Sequence, residues 1–240
     1  MKLSIGTFNL ASKVQLNVPE GSEKSTVMLC QNEYPWFDGT LSQCTRNAAL
    51  WLKSQNLTIV GVQESIPKYL NEITRIIGSE YDYIGYDSVY FIYKVTELGE
   101  GRLLNCSYIK DRPMIMVFFP EIGLLAVNLH APHDINLKKE IEDSFNRCDV
   151  IDFSQVIDRI IITGDFNDGY SDENLKELVL LGRTLKQNGL APKSCCRDVN
   201  YIFRGDYIFD TKECQGFYGT PKSASDQLMS DHHPVVFVEA

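Results

Sequence analysis

Apolar residues along this chain come in short runs separated by turn-forming clusters, the pattern of many strands with a few helices. Residues 3–8 and 57–62 each read as a buried strand. Between them, 17–40 carry Pro19, Gly21, Pro35, Gly39 and many polar residues and read as a long loop. Residues 41–55 read as an amphipathic helix with Leu41, Ala48, Trp51 and Leu52 on or near one face. Residues 67–77 predict a second helix with Pro67 in its first turn. A β-rich stretch follows at 81–86, 89–95, 102–109, 113–119 and 122–129. The turns between them, such as Asp87-Ser88 and Asp111-Arg112-Pro113, are short, which favours antiparallel neighbours. Residues 137–159 predict one or two helices, 160–163 a strand, 172–181 a helix, and 201–204, 206–210 and 234–239 the last strands.

Antiparallel strand pairs interleaved with helices predict two packed sheets with helices outside, an α+β or layered α/β fold. No linker or composition shift divides the chain, so residues 1–240 read as one domain. No apolar run approaches the roughly 18 residues of a membrane helix, and no membrane span is expected.

A second pattern is superposed on the first. Apolar strands end on side chains with a hard oxygen or an imidazole. The run from Ile5 ends at Asn9, and that from Ile59 at Glu64. The run from Leu124 contains Asn128 and ends at His130, and the run from Ile160 ends at Asp165 and Asn167. Asp231-His232-His233 precedes the last strand. Singly, each reads equally well as a turn residue, a helix cap or a satisfied core histidine. Together they repeat one chemistry at the strand ends, where ligands bind in open sheets. Asn, Asp and Glu oxygens suit Mg²⁺ or Mn²⁺ better than Zn²⁺, and a histidine supplies an acid, a base or a phosphate clamp. Metal, carboxylates and imidazoles in one crevice suit phosphoester hydrolysis.

Charge narrows the partners. The chain has 32 acidic and 23 basic residues, a formal net charge of −9, which argues against nonspecific coating of nucleic acid. The seven cysteines show no zinc-ribbon spacing, and the N-terminal residues lack the apolar stretch of a signal peptide. The expectation is seven free thiols in a reducing, intracellular setting, cytoplasmic or nuclear.

Six segments occur in a telling order: Thr7-Phe8-Asn9, Gln63-Glu64, Asn128-Leu129-His130, Gly164-Asp165-Phe166-Asn167, Asp206-Tyr207-Ile208 and Ser230-Asp231-His232-His233-Pro234. They resemble the ordered motifs of the endonuclease/exonuclease/phosphatase superfamily over residues 7 to 234. The resemblance implies a four-layered sandwich, two mixed β-sheets face to face with helices on both outer sides, and a divalent-metal hydrolase. It implies Glu64 as the principal ligand of Mg²⁺ or Mn²⁺, with Asn9 and Asp231 completing the metal site. Asp165 and Asn167 match the residues that orient or deprotonate water, His232 the phosphate-contacting histidine, and Asp206 its carboxylate partner. His130 matches a position that contacts phosphate or helps the leaving oxygen. Asn9, Asn128 and Arg112 are expected on the substrate, although Arg112 reads equally as a solvated turn arginine.

The substrate expected is a phosphate ester, first a nucleic acid or nucleic-acid adduct cleaved as a phosphodiester by a monomeric enzyme. Tyr34, Trp36 and Phe37 are candidates to stack on a base. The alternatives are a phosphomonoesterase or small-molecule or lipid phosphodiesterase on the same fold, and a non-catalytic binding module. The last is disfavoured because the major motif residues are all present.

Overall fold

The computed structural model describes residues 2–11, 43–104, 107–133, 136–146, 156–167, 175–187, 189, 192–194, 204–219, 229–230 and 232–240. Among these, fourteen strands pair into two mixed sheets. The first sheet contains β1 (Ser4–Asn9), β2 (Ile59–Gln63), β3 (Tyr81–Tyr86), β4 (Val89–Lys94), β13 (Gly216–Gly219) and β14 (Val235–Glu239), in the order β13-β14-β1-β2-β4-β3. The second contains β5 (Arg102–Leu103), β6 (Ser107–Ile109), β7 (Arg112–Phe119), β8 (Leu124–His130), β9 (Arg159–Asp165), β10 (Glu177–Leu180), β11 (Arg183–Lys186) and β12 (Asp206–Asp210). Its order is β10-β11-β12-β9-β8-β7-β5, with β6 also on β7. Each sheet has one parallel pair near its centre, β1–β2 and β8–β9.

Strand periodicity sorts the side chains into layers. In β8, Leu125, Val127 and Leu129 face outward with Ile141 and Phe145 of the helix α4 (Leu137–Asn146). Leu124 and Ala126 face the other sheet, where they meet Ile5, Ile59, Phe91, Ile161, Ile208 and Phe237. On the outer face of the first sheet, Phe8, Val60 and Val62 pack under α1 (Gln43–Gln55) and α2 (Pro67–Ile77) through Trp51, Leu52, Leu70 and Ile73. Helix α2 buries Tyr69, Leu70, Ile73 and Ile77 at helical spacing, and ends at Gly78, whose φ of 137° suits only glycine. Helices thus cover both outer faces, the layered arrangement expected from the sequence. A four-residue helix α3 (Val95–Leu98) ends the run expected as strand 89–95. No helix among the described residues is long and apolar enough to cross a membrane.

Several expected elements are corrected. Over its described residues, 175–181, the helix expected at 172–181 gives way to strand: 177–180 and 183–186 form the hairpin β10–β11. Leu181 (φ 50°) and Gly182 (φ 68°) make its two-residue turn, and two left-handed residues in a row are what a tight hairpin requires. Leu178, Leu180 and Leu185 then share one buried face. The strand expected at 102–109 is divided into β5 and β6; helix α4 covers 137–146 of the helical run expected at 137–159, and 147–155 lie outside the described residues. Strand β13 had no sequence counterpart. The 17–40 loop with Tyr34, Trp36 and Phe37, and residues 201–203, lie outside the described residues. Cys44 is disulfide-bonded, so the seven free thiols expected are not all free; Cys214 is.

Candidate active site

The layer between the sheets changes character toward one end. Its inward positions run Ile5, Thr7, Asn9 in β1 and Ile59, Gly61, Gln63 in β2. They run Leu124, Ala126, Asn128, His130 in β8 and Ile161, Thr163, Asp165 in β9. A period of two therefore carries each strand from core to polar end without changing face. Register brings the ends level: Asn9 opposite Gln63, and His130 and Asp206 opposite Asp165. His232 comes from the approach to β14, whose Val235 lies opposite Thr7.

Asn9 Nδ2 donates to Glu64 Oε1 (3.0 Å) and Asp165 Oδ2 (2.9 Å) and so clamps two carboxylates from facing sheets. Its Oδ1 accepts from the Ala11 backbone N–H (2.9 Å), just as Asp165 Oδ1 accepts from that of Asn167 (2.9 Å). The two strand ends share this local turn. Ala11 (φ 49°), Glu64 (φ 51°) and Asn167 (φ 49°) are all left-handed, so three non-glycine residues in a costly conformation border one crevice. His130 Nε2 lies 3.8 Å from Glu64 Oε1 and 3.9 Å from Asp165 Oδ2. Asn167 Nδ2 donates to the Ala131 carbonyl (2.6 Å).

His232 stands between two aspartates. Its Nδ1 lies 2.9 Å from Asp206 Oδ2 and its Nε2 3.6 Å from Asp165 Oδ2. Burial pushes the Asp206 carboxyl up, and the His232 imidazole offsets only part of the rise. Burial also pushes Asp165 up, but His232, His130 and the Asn9 and Asn167 hydrogen bonds outweigh it and hold this carboxyl below its usual range. His130 moves down: burial dominates over Asp165 and Glu64, and Arg112 and His232 add to the fall. His232 has the closer carboxylates, one on each ring nitrogen, whereas burial moves His130 away from its charged form.

The donor set fits a divalent cation. Three carboxylates, Glu64, Asp165 and Asp206, share the crevice with two imidazoles, and one Asp206 oxygen is buried without a partner. The ligating atoms of Asp165, Asp206 and His232 lie within 4.8 Å of one another. Hard oxygens in negative excess are what Mg²⁺ or Mn²⁺ takes. Asp206 and His232 are already committed to each other, which leaves Glu64 and Asp165 as the carboxylates that face the opening.

Of the residues singled out from the sequence, the structure brings together Asn9, Glu64, His130, Asp165, Asn167, Asp206 and His232. Asp231 lies outside the described residues. Arg112 starts β7 beside the crevice and acts on His130 through its charge. Asn128 does not reach the crevice. It is fully buried, its Nδ2 donates to the Val62 and Tyr90 carbonyls (3.0 and 2.8 Å), and its Oδ1 accepts from Gln63 Nε2 (2.6 Å) and Thr163 Oγ1 (3.2 Å). It joins the two sheets, so the expected substrate contact is replaced by a structural one. Gly61 makes room for it: a Cβ there would stand 2.0 Å from Thr163 Oγ1 and 2.7 Å from Asn128 Oδ1.

Two serines to which the sequence reading gave no role also hold the site. Ser194 Oγ accepts from the Asp206 N–H (3.2 Å), and Ser230 Oγ donates to the Asn9 carbonyl (2.7 Å) while accepting from the His232 N–H (3.2 Å). Serines at turns carry no distinguishing signal. A cavity of about 640 Å³ lies at the opposite end of the sandwich, lined in part by Leu3, Leu124, Arg159, Thr211 and Lys212. Two of its charged residues are paired: Arg159 with Asp210 and Glu239, and Lys212 with Glu239. It holds no counterpart to the carboxylate and imidazole cluster.

No protein-family model matches the sequence, and a comparison with curated proteins finds no match. Solved structures do match. An endonuclease/exonuclease/phosphatase family protein from Bacteroides thetaiotaomicron superposes with a TM-score of 0.64 at 18% identity, covering 99% of this chain and 97% of that one. A mannosyl-6-phosphatase of the same organism gives 0.63 at 18% identity, covering 99% of each. TDP2 of D. rerio, complexed with a single-strand DNA product, gives 0.55 at 16% identity, covering 98% of each. At these identities the likeness carries the architecture, and by its architecture the chain is an endonuclease/exonuclease/phosphatase-fold protein.

Proposed function

We propose that this protein hydrolyses phosphoester bonds with the help of Mg²⁺ or Mn²⁺, and that its substrate is a phosphodiester in a nucleic acid or nucleic-acid adduct. One observation carries the reading: five strand ends and the approach to β14 deliver Asn9, Glu64, His130, Asp165, Asp206 and His232 to one crevice, where hydrogen bonds link Asn9 to Glu64 and Asp165, and Asp206 to His232. Glu64 would hold the cation, with Asn9 and Asp231 completing the set. The cation, when bound, supplies charge screening for the phosphate oxygens.

The protein's own groups account for the rest. Asp206 orients the His232 ring and stabilises its imidazolium, so Nε2–H is aimed into the crevice to meet a phosphate oxygen. Asp165, held ionised by two donors, orients the attacking water; a carboxylate of depressed pKa positions a nucleophile better than it retains a proton. Asn167 would assist Asp165 with the water, His130 would contact the phosphate or help the leaving oxygen, and Arg112 would meet a flanking phosphate.

The reading is tested with a panel in Mg²⁺, Mn²⁺ or Ca²⁺: single- and double-stranded DNA, RNA, abasic DNA, a tyrosyl-DNA ester and sugar and inositol phosphates. Cleavage of a nucleic acid that EDTA abolishes is expected, and Glu64→Gln should lose both metal binding by calorimetry and turnover while remaining folded. Activity unaffected by EDTA would remove the metal from the mechanism. The net charge of −9 favours a second reading, a phosphomonoesterase acting on a small substrate that needs no cationic groove. Turnover of sugar phosphates alone would select it.

A further inference from the structure

Two exposed tyrosines stand beside the crevice with no part in the chemistry above. Tyr86 is 45% exposed and Tyr108 36%. Tyr86 ends β3 of one sheet and Tyr108 lies in β6 of the other, yet their rings meet edge to face with centroids 6.2 Å apart. Their hydroxyls are hydrogen-bonded at 2.9 Å, and Asp87 Oδ2 lies 3.3 Å from that of Tyr108.

Register places the pair relative to the site. Val62 is opposite Tyr90 and Tyr86 opposite Val89, so the row continues from Gln63 through Val89 to Tyr86. In the other sheet Met114 is opposite Leu129 and Tyr108 opposite Pro113, so the row runs from His130 through Pro113 to Tyr108. Each tyrosine is thus two strand spacings, about 10 Å, from the level of the catalytic residues. The β3–β4 turn is tied to the site by the Ser65 N–H, which donates to the Ser88 carbonyl (3.1 Å) directly after Glu64. Arg112, close enough to influence His130, starts the strand that pairs with β6.

We propose that Tyr86 and Tyr108 form a stacking platform for a nucleobase, so that the crevice selects a single-stranded nucleotide unit next to the bond it cleaves. This deepens the phosphoester reading and rests on it. The two-point fixation gives an aromatic face at little entropic cost, and stacking accepts any base. It also answers the charge problem: a protein of net charge −9 gains little from releasing counterions along a polyanion, whereas stacking needs no cationic groove. Arg112 is near enough to His130 to act on it through its charge.

The test compares two single-stranded oligonucleotides of equal length, one normal and one with abasic residues flanking the cleavage position, on wild type, Tyr86→Leu, Tyr108→Leu and the corresponding phenylalanine variants. KM for the normal strand should rise about five- to a hundredfold in the leucine variants, with kcat little changed. KM for the abasic strand should stay put, and the phenylalanine variants, which keep the ring but lose the hydroxyl bond, should show a smaller rise than the leucine variants. A shallow dependence of wild-type affinity on salt is expected as well. Equal changes on both strands, or none, would overturn the platform. A failure of phosphoester hydrolysis itself is read separately, as no cleavage by wild type of anything in the panel. In that case quenching of tyrosine fluorescence by oligo(dT) decides: quenching lost in the leucine variants supports the platform, and none in wild type overturns it.

Discussion

Asn128→Leu separates structure from substrate contact. The asparagine makes four side-chain hydrogen bonds in the layer between the sheets, to Val62, Tyr90, Gln63 and Thr163. Leucine has a similar shape and none of the polar atoms. At about 1 kcal/mol net each, the lost bonds amount to about 4 kcal/mol, and burying the leucine recovers about 1–2 kcal/mol. A net loss of about 2–3 kcal/mol is expected, which for a chain of this size lowers Tm by about 5–10 °C. Gln63 Nε2 keeps only its 3.2 Å bond to Thr7, so local order around Glu64 should loosen too. Thermal and urea unfolding measure the stability, and KM on the cleaved substrate is followed below the transition. A variant as stable as wild type with a strongly raised KM would refute the structural assignment and return Asn128 to the substrate.

Asp206→Asn should lower turnover about 10- to 100-fold, the worth of a charge-assisted hydrogen bond, and move the limb on which His232 gives up its proton to lower pH. Unchanged turnover and pH profile would reduce the pair to a packing contact. Glu97 is raised by burial but held below its usual range by Lys94 and Thr58. Its contribution to stability is therefore present above the unfolded carboxylate pKa and lost as pH falls through the folded one. Glu97→Gln should destabilise at pH 7 and converge with wild type in acid, and urea midpoints that stay apart at low pH would contradict this. Thiol titration of denatured, unreduced protein should fall short of the seven cysteines by at least two, since Cys44 is in a disulfide; a count of seven would refute the bond.

The strand periods were legible in the sequence because they are local. Alternation from Ile5 to Asn9, from Ile59 to Gln63 and from Ile161 to Asp165 already puts each polar end residue on the face that its strand buries. The run around Leu178–Leu185 was misread because its apolar spacing satisfies a helix as well as a hairpin. The choice was made by its neighbours: Leu181 and Gly182 turn left-handed, and Lys186 pairs with Asp210 of β12.

Asn128 shows the same division within one side chain. Its place on the inward face follows from counting in twos, but whether that face opens on a crevice or on another sheet depends on Val62 and Tyr90, 66 and 38 residues away. Tyr86 and Tyr108 are unremarkable in sequence, and only the facing of two sheets makes them a pair. By itself the sequence determined which residues point inward and which chemistry they carry, since backbone geometry repeats every two residues. Tertiary structure alone decided which ends meet, because the register between sheets is set by the packing of the whole core and is written in no single segment.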